Sequence, residues 1–328
     1  MPRPDEFQLI ERFTRGFRSG EGVRIGIGDD AAVLRPPPGH DLVATVDAVV
    51  EGVHFGGSFS PEDVGWKSLA VNLSDLAAMG ARPLWALVAL AAPGDADPRW
   101  LTRVGRGIAR CARVHRTSVV GGNVTAAAQV SVTVTVVGAV RRDRAMRRSG
   151  ARPGDLLVVS GTLGDAALGL RPGARPALRQ RQRRPSPRLA LGQAAVGVVH
   201  AAIDLSDGLV QDLGHLCQAS GTGARVELDR LPLSRAYRAA TAGRADPHEE
   251  ALSGGEDYEL LLAVPPARLP ALRAAARRAR TPVAVIGQIE AEGGVRVVKG
   301  GGALHRPNRT GHDHFRSGSV LGPRRRRA

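Results

Sequence analysis

The stretch SPEDVGWKSLAVNLSDLAAMGARPLWALVALA, Ser60–Ala91, decides the fold class, because a capped helix runs in it straight into a buried strand. Ser60 offers a side-chain cap, Pro61 suits the first turn, and Glu62 and Asp63 put negative charge at the helix N-terminus. Gly80 supplies the stop, so the spacing predicts a helix over Pro61–Met79. The short apolar run Leu84–Ala91 follows as a strand. Outward from this pair, Leu42–Asp47 and Gln129–Val140 read as further strands and Pro98–Val114 as a second helix. Sheet and helix therefore alternate from Val23 to Val140, a layered mixed α/β (α+β) body, and the basic stretch Arg141–Arg148 ends it.

The second half repeats the class. Leu156–Ser160 is a buried-strand pattern after Gly154-Asp155, and Gly161–Gly164 turns the chain into a short helix. Further strands are expected at Ala201–Leu205, Ala224–Leu228, Tyr258–Val264 and Val283–Ile289, with helices at Leu209–Ala219 and Ala267–Arg280. The Arg/Pro/Gln-rich stretch Arg171–Pro187 reads as an exposed loop. The expected organisation is two domains, 1–148 and 149–328, and no repeat of fixed period is present.

The bulk composition narrows the classes of function. With 328 residues and 43% hydrophobic content, the chain can bury a core of two medium domains. No run reaches the roughly 18 apolar residues a membrane span needs. Met1–Phe13 carries acidic residues where a signal peptide would be apolar, which points to the cytoplasm and away from a membrane. Cys111 and Cys217 read as reduced core residues. The formal charge of +15 comes almost wholly from arginine, with Lys67 and Lys299 the only lysines, and the arginines gather at Arg171–Arg188 and Arg324–Arg327. Those segments read as solvated, and 3% aromatic content is too little for base-stacking platforms, so no specific nucleic-acid role is expected.

Chemistry is concentrated in acidic residues at loop and element ends. Gly26-Ile27-Gly28-Asp29-Asp30-Ala31 has the glycines of a phosphate-binding turn, but its adjacent carboxylates would repel a pyrophosphate unless a cation lay between them. A turn merely capped by its aspartates is the other reading. Thr45-Val46-Asp47 closes a hydrophobic strand, and Glu51-Gly52-Val53-His54-Phe55 follows it. Asn72 and Asp75, three residues apart, share one helix face. Ile203-Asp204-Leu205-Ser206-Asp207-Gly208-Leu209 lies at a strand-to-helix junction with Asp212 a turn later, and can hold a hydrated cation or cap the helix. Ser253-Gly254-Gly255-Glu256-Asp257-Tyr258 leads into another strand. Carboxylates gathered in both halves of a strongly basic chain repel one another without cations, and oxygen donors of this kind suit magnesium. A Walker A pattern is absent, because Gly65-Trp66-Lys67-Ser68 lacks its glycine spacing.

In order and spacing, the segments Gly26–Ala31, Asp47–Phe55, Trp66–Pro83, Arg148–Asp155, Ile203–Leu213 and Leu252–Leu261 resemble the thiamine-monophosphate kinase family along nearly the whole chain. The resemblance implies the two-domain fold of aminoimidazole ribonucleotide synthetase, with the N-terminal sheets of two subunits closing a barrel in a homodimer. It implies ATP and thiamine monophosphate as substrates and several magnesium ions. Carried onto this chain, Asp30, Thr45, Val46 (through its carbonyl), Asp47, Asp75, Asn123 and Asp204 would bind magnesium, and Asp207 a further ion. Gly122, Asn123, Arg148 and Ser206 would contact ATP, and His54, Glu256 and His312 would face thiamine monophosphate. No side chain is implied as an acid, base or nucleophile. Gly121-Gly122-Asn123 stands where the family often has Gly-Gly-Asp, and His312 of Gly311-His312-Asp313-His314-Phe315 stands where it has an aromatic residue. Another ATP-dependent synthetase of the superfamily, such as aminoimidazole ribonucleotide or selenophosphate synthetase, and a non-catalytic basic binding protein on this scaffold stay open.

Overall fold

The computed structural model describes residues 6–312; the arginine run Arg324–Arg327 and Asp313–Phe315 lie outside them. The described chain forms two compact units, one from residues 6–73 and 82–142, the other from 74–81 and 143–312. No helix among the described residues is long and apolar enough to cross a membrane.

The first unit contains α1 (Glu6–Thr14), β1 (Val23–Ile25), β2 (Val33–Leu34), β3 (His40–Val50), most of α2 (Pro61–Ala78), β4 (Arg82–Ala92), α3 (Pro98–His115), β5 (Ser118–Ala126) and β6 (Ser131–Arg141). The start of α2 is a reciprocal cap: Asp63 N donates to Ser60 Oγ at 3.2 Å, and Ser60 N donates to the Asp63 carboxylate at 3.4 Å. The main sheet runs β3-β6-β4-β5, with β3 and β5 at its edges. β3 is longer than expected, since Ala48-Val49-Val50 continues its β-forming pattern. Asp47 therefore pairs with Val134 inside the strand rather than ending it.

Alternation divides the sheet into two faces. Val49, Val132, Val134, Val88 and Leu90 are buried on one. On the other, Val46 sits opposite Thr135, which sits opposite Leu87; Leu42, Val46 and Leu87 are 49%, 58% and 44% exposed. That is an apolar surface presented to solvent by one side of a sheet.

The second unit contains β7 (Leu156–Ser160), α4 (Asp165–Gly169), α5 (Pro176–Arg183), α6 (Leu189–Ala195), β8 (Ala201–Asp204), α7 (Leu209–Ser220), β9 (Gly223–Glu227), α8 (Arg235–Thr241), α9 (Glu249–Ser253), β10 (Leu260–Val264), α10 (Leu269–Arg278), β11 (Val283–Glu290), β12 (Gly294–Val298) and β13 (Leu304–His305). Its sheet runs β13-β12-β9-β11-β7-β10-β8. β10 lies in the interior, and each of its residues, Leu260 to Val264, is buried, which explains a run with no polar alternation. Cys111 and Cys217 are buried free thiols, and burial pushes Cys217 up to about 11.

The expected loop at Arg171–Pro187 is corrected by the structure: its centre is α5, with Pro176 in the first turn and Leu178 and Gln182 buried. Arginine, glutamine, alanine and leucine are all good helix formers, so local preference was present beneath the charge. Nor is the segment simply solvated. Arg181 and Arg188 reach the fully buried Glu259, Arg181 at 2.5 Å and Arg188 through Nε at 2.7 Å, and Ser160 Oγ donates to the same carboxylate at 2.5 Å.

Candidate active site

In the second unit, β8 ends at Asp204 and the chain turns through Leu205–Gly208 into α7. The segment entering β10 lies along this turn: Glu256 N donates to Ser206 O at 2.7 Å and Tyr258 N to Leu205 O at 2.8 Å. Gly208 has φ +128°, and a Cβ there would fall 2.9 Å from the Ser253 carbonyl carbon, so only glycine fits. Asp212 accepts from the N–H groups of Asp207 and Gly208, each at 3.1 Å. Asp212 thereby ties down the turn that leads into α7, and burial beside Asp207 pushes it up to about 7. His312 N donates to Asp207 O at 3.0 Å, and Gln211 Nε2 bridges the Asp207 carboxylate and the His312 carbonyl.

Asp204 is almost wholly buried and accepts a hydrogen bond from Ser74 Oγ at 2.7 Å. Burial, then the neighbouring Asp75 carboxylate, pushes it up to about 8; Ser74 and Arg148 act in the opposite direction. Asp75, Arg148, Asp204, Ser206, Asp207, Glu256 and His312 all belong to this unit.

Glu256 and Tyr258 both have left-handed backbones, φ +69° and +50°, which side chains rarely adopt. Between them the Asp257 carboxyl is buried, accepts from Gly164 N at 2.7 Å, and is raised well above the usual carboxylate range by that burial. Gln182 Nε2 donates to the Glu256 carboxylate at 3.2 Å. The sequence reading missed both Gln182 and the Arg181–Glu259–Arg188 cluster, since only a helix over Pro176–Arg183 would have put Gln182 on an inward face.

The first unit holds the remaining candidates. Asp29 Oδ1 accepts from Asp30 N at 2.8 Å, closing the expected acidic turn. Thr45 and Asp47 share one face of β3, and Val46 points to the other. His54 Nδ1 accepts from Val50 N at 3.1 Å, which leaves the proton of a neutral ring on Nε2. Its carbonyl accepts from the buried Lys67 ammonium at 3.1 Å. Gly122 and Asn123 lie exposed on β5, paired with Val88 and Ala89 of β4. Asp47 and Gly122 are three strand steps apart, about 14 Å at ordinary sheet spacing, so the two edges do not bring Asp47 and Asn123 together within this sheet.

Among the described residues no three His, Cys, Asp or Glu side chains gather closely enough to hold an ion by themselves. The donor chemistry nonetheless fits a hydrated magnesium ion, which takes one or two carboxylates and completes its shell with water and phosphate oxygens. Asp75 beside a buried Asp204 is such a pair, and a cation there would relieve the repulsion that raises Asp204.

Comparison with known proteins gives the family. Residues 28–140 match the N-terminal domain of the AIR synthase related protein family, and residues 152–300 match its C-terminal domain. The thiamine-monophosphate kinase of Haemophilus influenzae is 39% identical over 95% of this chain and 98% of its own, and that of Escherichia coli 42% identical over 88% and 91%. Among solved structures, the thiamine-monophosphate kinase of Stenotrophomonas maltophilia aligns with a TM-score of 0.81 at 42% identity, covering 89% of this chain and 96% of that one. AaThiL complexed with AMPPCP and TMP aligns at 0.75 and 34% identity over 95% and 99%. Hydrogenase maturation protein HypE in complex with ATP aligns at 0.75 with 22% identity over 93% and 94%, a likeness of fold alone. By sequence and fold together, this chain belongs to the thiamine-monophosphate kinase family.

Proposed function

We propose that this protein transfers the terminal phosphate of ATP directly to the phosphate of thiamine monophosphate, giving thiamine diphosphate and ADP. The observation that carries the reading is the convergence of Asp204, Ser206, Asp207 and Glu256 on one turn, with Asp75 beside Asp204, in a protein of net charge +15. Carboxylates concentrated against so basic a background suit a site that handles phosphate through cations.

In the first unit, Asp30, Thr45, the Val46 carbonyl, Asp47 and Asn123 are the proposed magnesium ligands; in the second, Asp75, Asp204 and Asp207. Magnesium held by these residues would supply charge neutralisation and Lewis acidity to the reacting phosphates. Gly122, Asn123, Arg148 and Ser206 are proposed to orient ATP, and His54, Glu256 and His312 to hold the acceptor. The anionic ligands hold charge where it is needed, because two unit negative charges about 4 Å apart repel by about 4 kcal/mol at an effective dielectric of about 20. No side chain has to remove a proton: the acceptor phosphate, with a second pKa near about 6, is largely a dianion at neutral pH. The transfer is therefore in line and leaves no phosphoenzyme. Asn123 keeps an oxygen donor but lacks a carboxylate's charge, so it grips its ion more weakly.

The exposed apolar face of Leu42, Val46 and Leu87, on a sheet whose edge strands are β3 and β5, supports a homodimer closed through these sheets. The deciding experiment is incubation with magnesium, ATP and thiamine monophosphate, reading thiamine diphosphate and ADP. ATP turnover only with a different acceptor, or a trapped phosphorylated side chain, would overturn the proposal.

A further inference from the structure

The arginine-rich segment is a part of the second unit that the proposed chemistry leaves unused, and its one buried polar side chain meets the site residue Glu256. Gln182 is 1% exposed. Its neighbours fix its place. Arg181, one residue earlier on α5, pairs with the buried Glu259 at 2.5 Å, and Arg188, just beyond the helix, pairs with the same carboxylate. On the other side α4 packs closely: a Cβ at Gly169 would come within 3.0 Å of the Gln182 Cβ. Among the described residues, the Gln182 amide has one hydrogen-bond partner, Glu256 Oε2, to which it donates at 3.2 Å. Glu256 itself is held by its N–H to Ser206 O and by a left-handed backbone, so its main chain has little freedom, and Gln182 is one of the groups that meet its carboxylate.

We propose that Gln182 is a positioning residue for acceptor recognition, aiming the Glu256 carboxylate at the cationic ring system of thiamine monophosphate, with Arg181, Arg188 and Glu259 anchoring the helix that carries it. The inference rests on the reading of Glu256 as an acceptor-binding residue. A buried amide that donates one hydrogen bond to a carboxylate favours a single rotamer of that carboxylate. Its loss acts on binding of the acceptor and leaves the binding of ATP alone.

The test is a set of four variants assayed for KM toward each substrate and for kcat. Gln182→Leu keeps the buried volume and removes the donor, and raises KM for thiamine monophosphate roughly tenfold, the size of one lost hydrogen bond to a charged group, with KM for ATP unmoved. Gln182→His, which keeps a ring N–H, recovers part of that loss. Glu256→Ala raises the acceptor KM further, and Gln182→Leu added to Glu256→Ala causes no additional rise, because Gln182 then has nothing to aim. Thermal melting of each variant separates these effects from a loss of folding. An equal rise in both KM values, or a Gln182→Leu effect that persists in full on the Glu256→Ala background, overturns the positioning role while leaving the site reading intact. An acceptor KM unchanged in Glu256→Ala overturns the site reading, and the role of Gln182 with it.

Discussion

Replacing Glu259 by glutamine keeps the shape of the side chain and removes one negative charge from the interior of the second unit. Glu259 is fully buried, and it accepts from Arg181 at 2.5 Å, from Arg188 Nε at 2.7 Å and from Ser160 Oγ at 2.5 Å. Breaking a buried pair by removing one partner costs about 3 to 5 kcal/mol, because the remaining charge is left uncompensated. The Arg181 and Arg188 side chains keep 24% and 18% exposure, so water can solvate them in part, which puts the cost near the lower end, at about 3 kcal/mol. For a body of this size that is a fall of roughly 6 to 12 °C in melting temperature. Tryptophan fluorescence is the wrong probe, since Trp66, Trp85 and Trp100 all lie in the first unit. Hydrogen exchange at Leu260–Val264 and circular dichroism report on the right region. Arg188→Leu, which leaves Glu259 with Arg181, should cost less. A loss below about 1 kcal/mol in Glu259→Gln, the level of an exposed ion pair, would refute the reasoning.

Asp75→Asn should lower phosphate transfer by orders of magnitude and leave the metal-free fold intact or firmer, because it also relieves Asp204; near-normal turnover would make Asp75 structural. Asp204 at about 8 and Asp212 at about 7 stand above the ordinary carboxylate value, so the folded chain binds these protons more tightly than the unfolded chain. The stability they contribute is present below about pH 4 and is lost as pH rises through about 7 to 8, so the melting temperature of the metal-free protein should fall from about pH 6 to about pH 9. The fall should be smaller in Asp204→Asn. Gly208→Ala sets a side chain at φ +128° against the Ser253 backbone and should lower both stability and activity; a variant that melts like the wild type would show that the turn can relax.

Local signals explain which parts of the fold were legible. The helix expected at Pro61–Met79 is Pro61–Ala78, and the strand expected at Leu156–Ser160 has those bounds, because in each case caps or apolar runs coincide with the tertiary outcome. α5 was misread because charge was taken as a sign of exposure, whereas two of its neighbouring guanidiniums neutralise Glu259 inside the unit. β5 passed unnoticed because Gly121-Gly122-Asn123 interrupts its apolar pattern, and only pairing with β4 makes it a strand. The acidic turn positions could be named from motifs, but the side chains that steer them could not. Gln182 and Glu256 are far apart along the chain and meet only once α5 has formed.

The left-handed backbones of Glu256 and Tyr258 bear on how this enzyme can be made hardier. Each non-glycine residue held in that region costs on the order of 1 kcal/mol, so Glu256→Gly relieves strain, but it strands the buried Gln182 amide at a cost of about 1 to 3 kcal/mol, and the melting temperature should not rise. A screen for heat resistance alone would thus keep a glutamate whose backbone is strained, because a buried neighbour depends on its carboxylate.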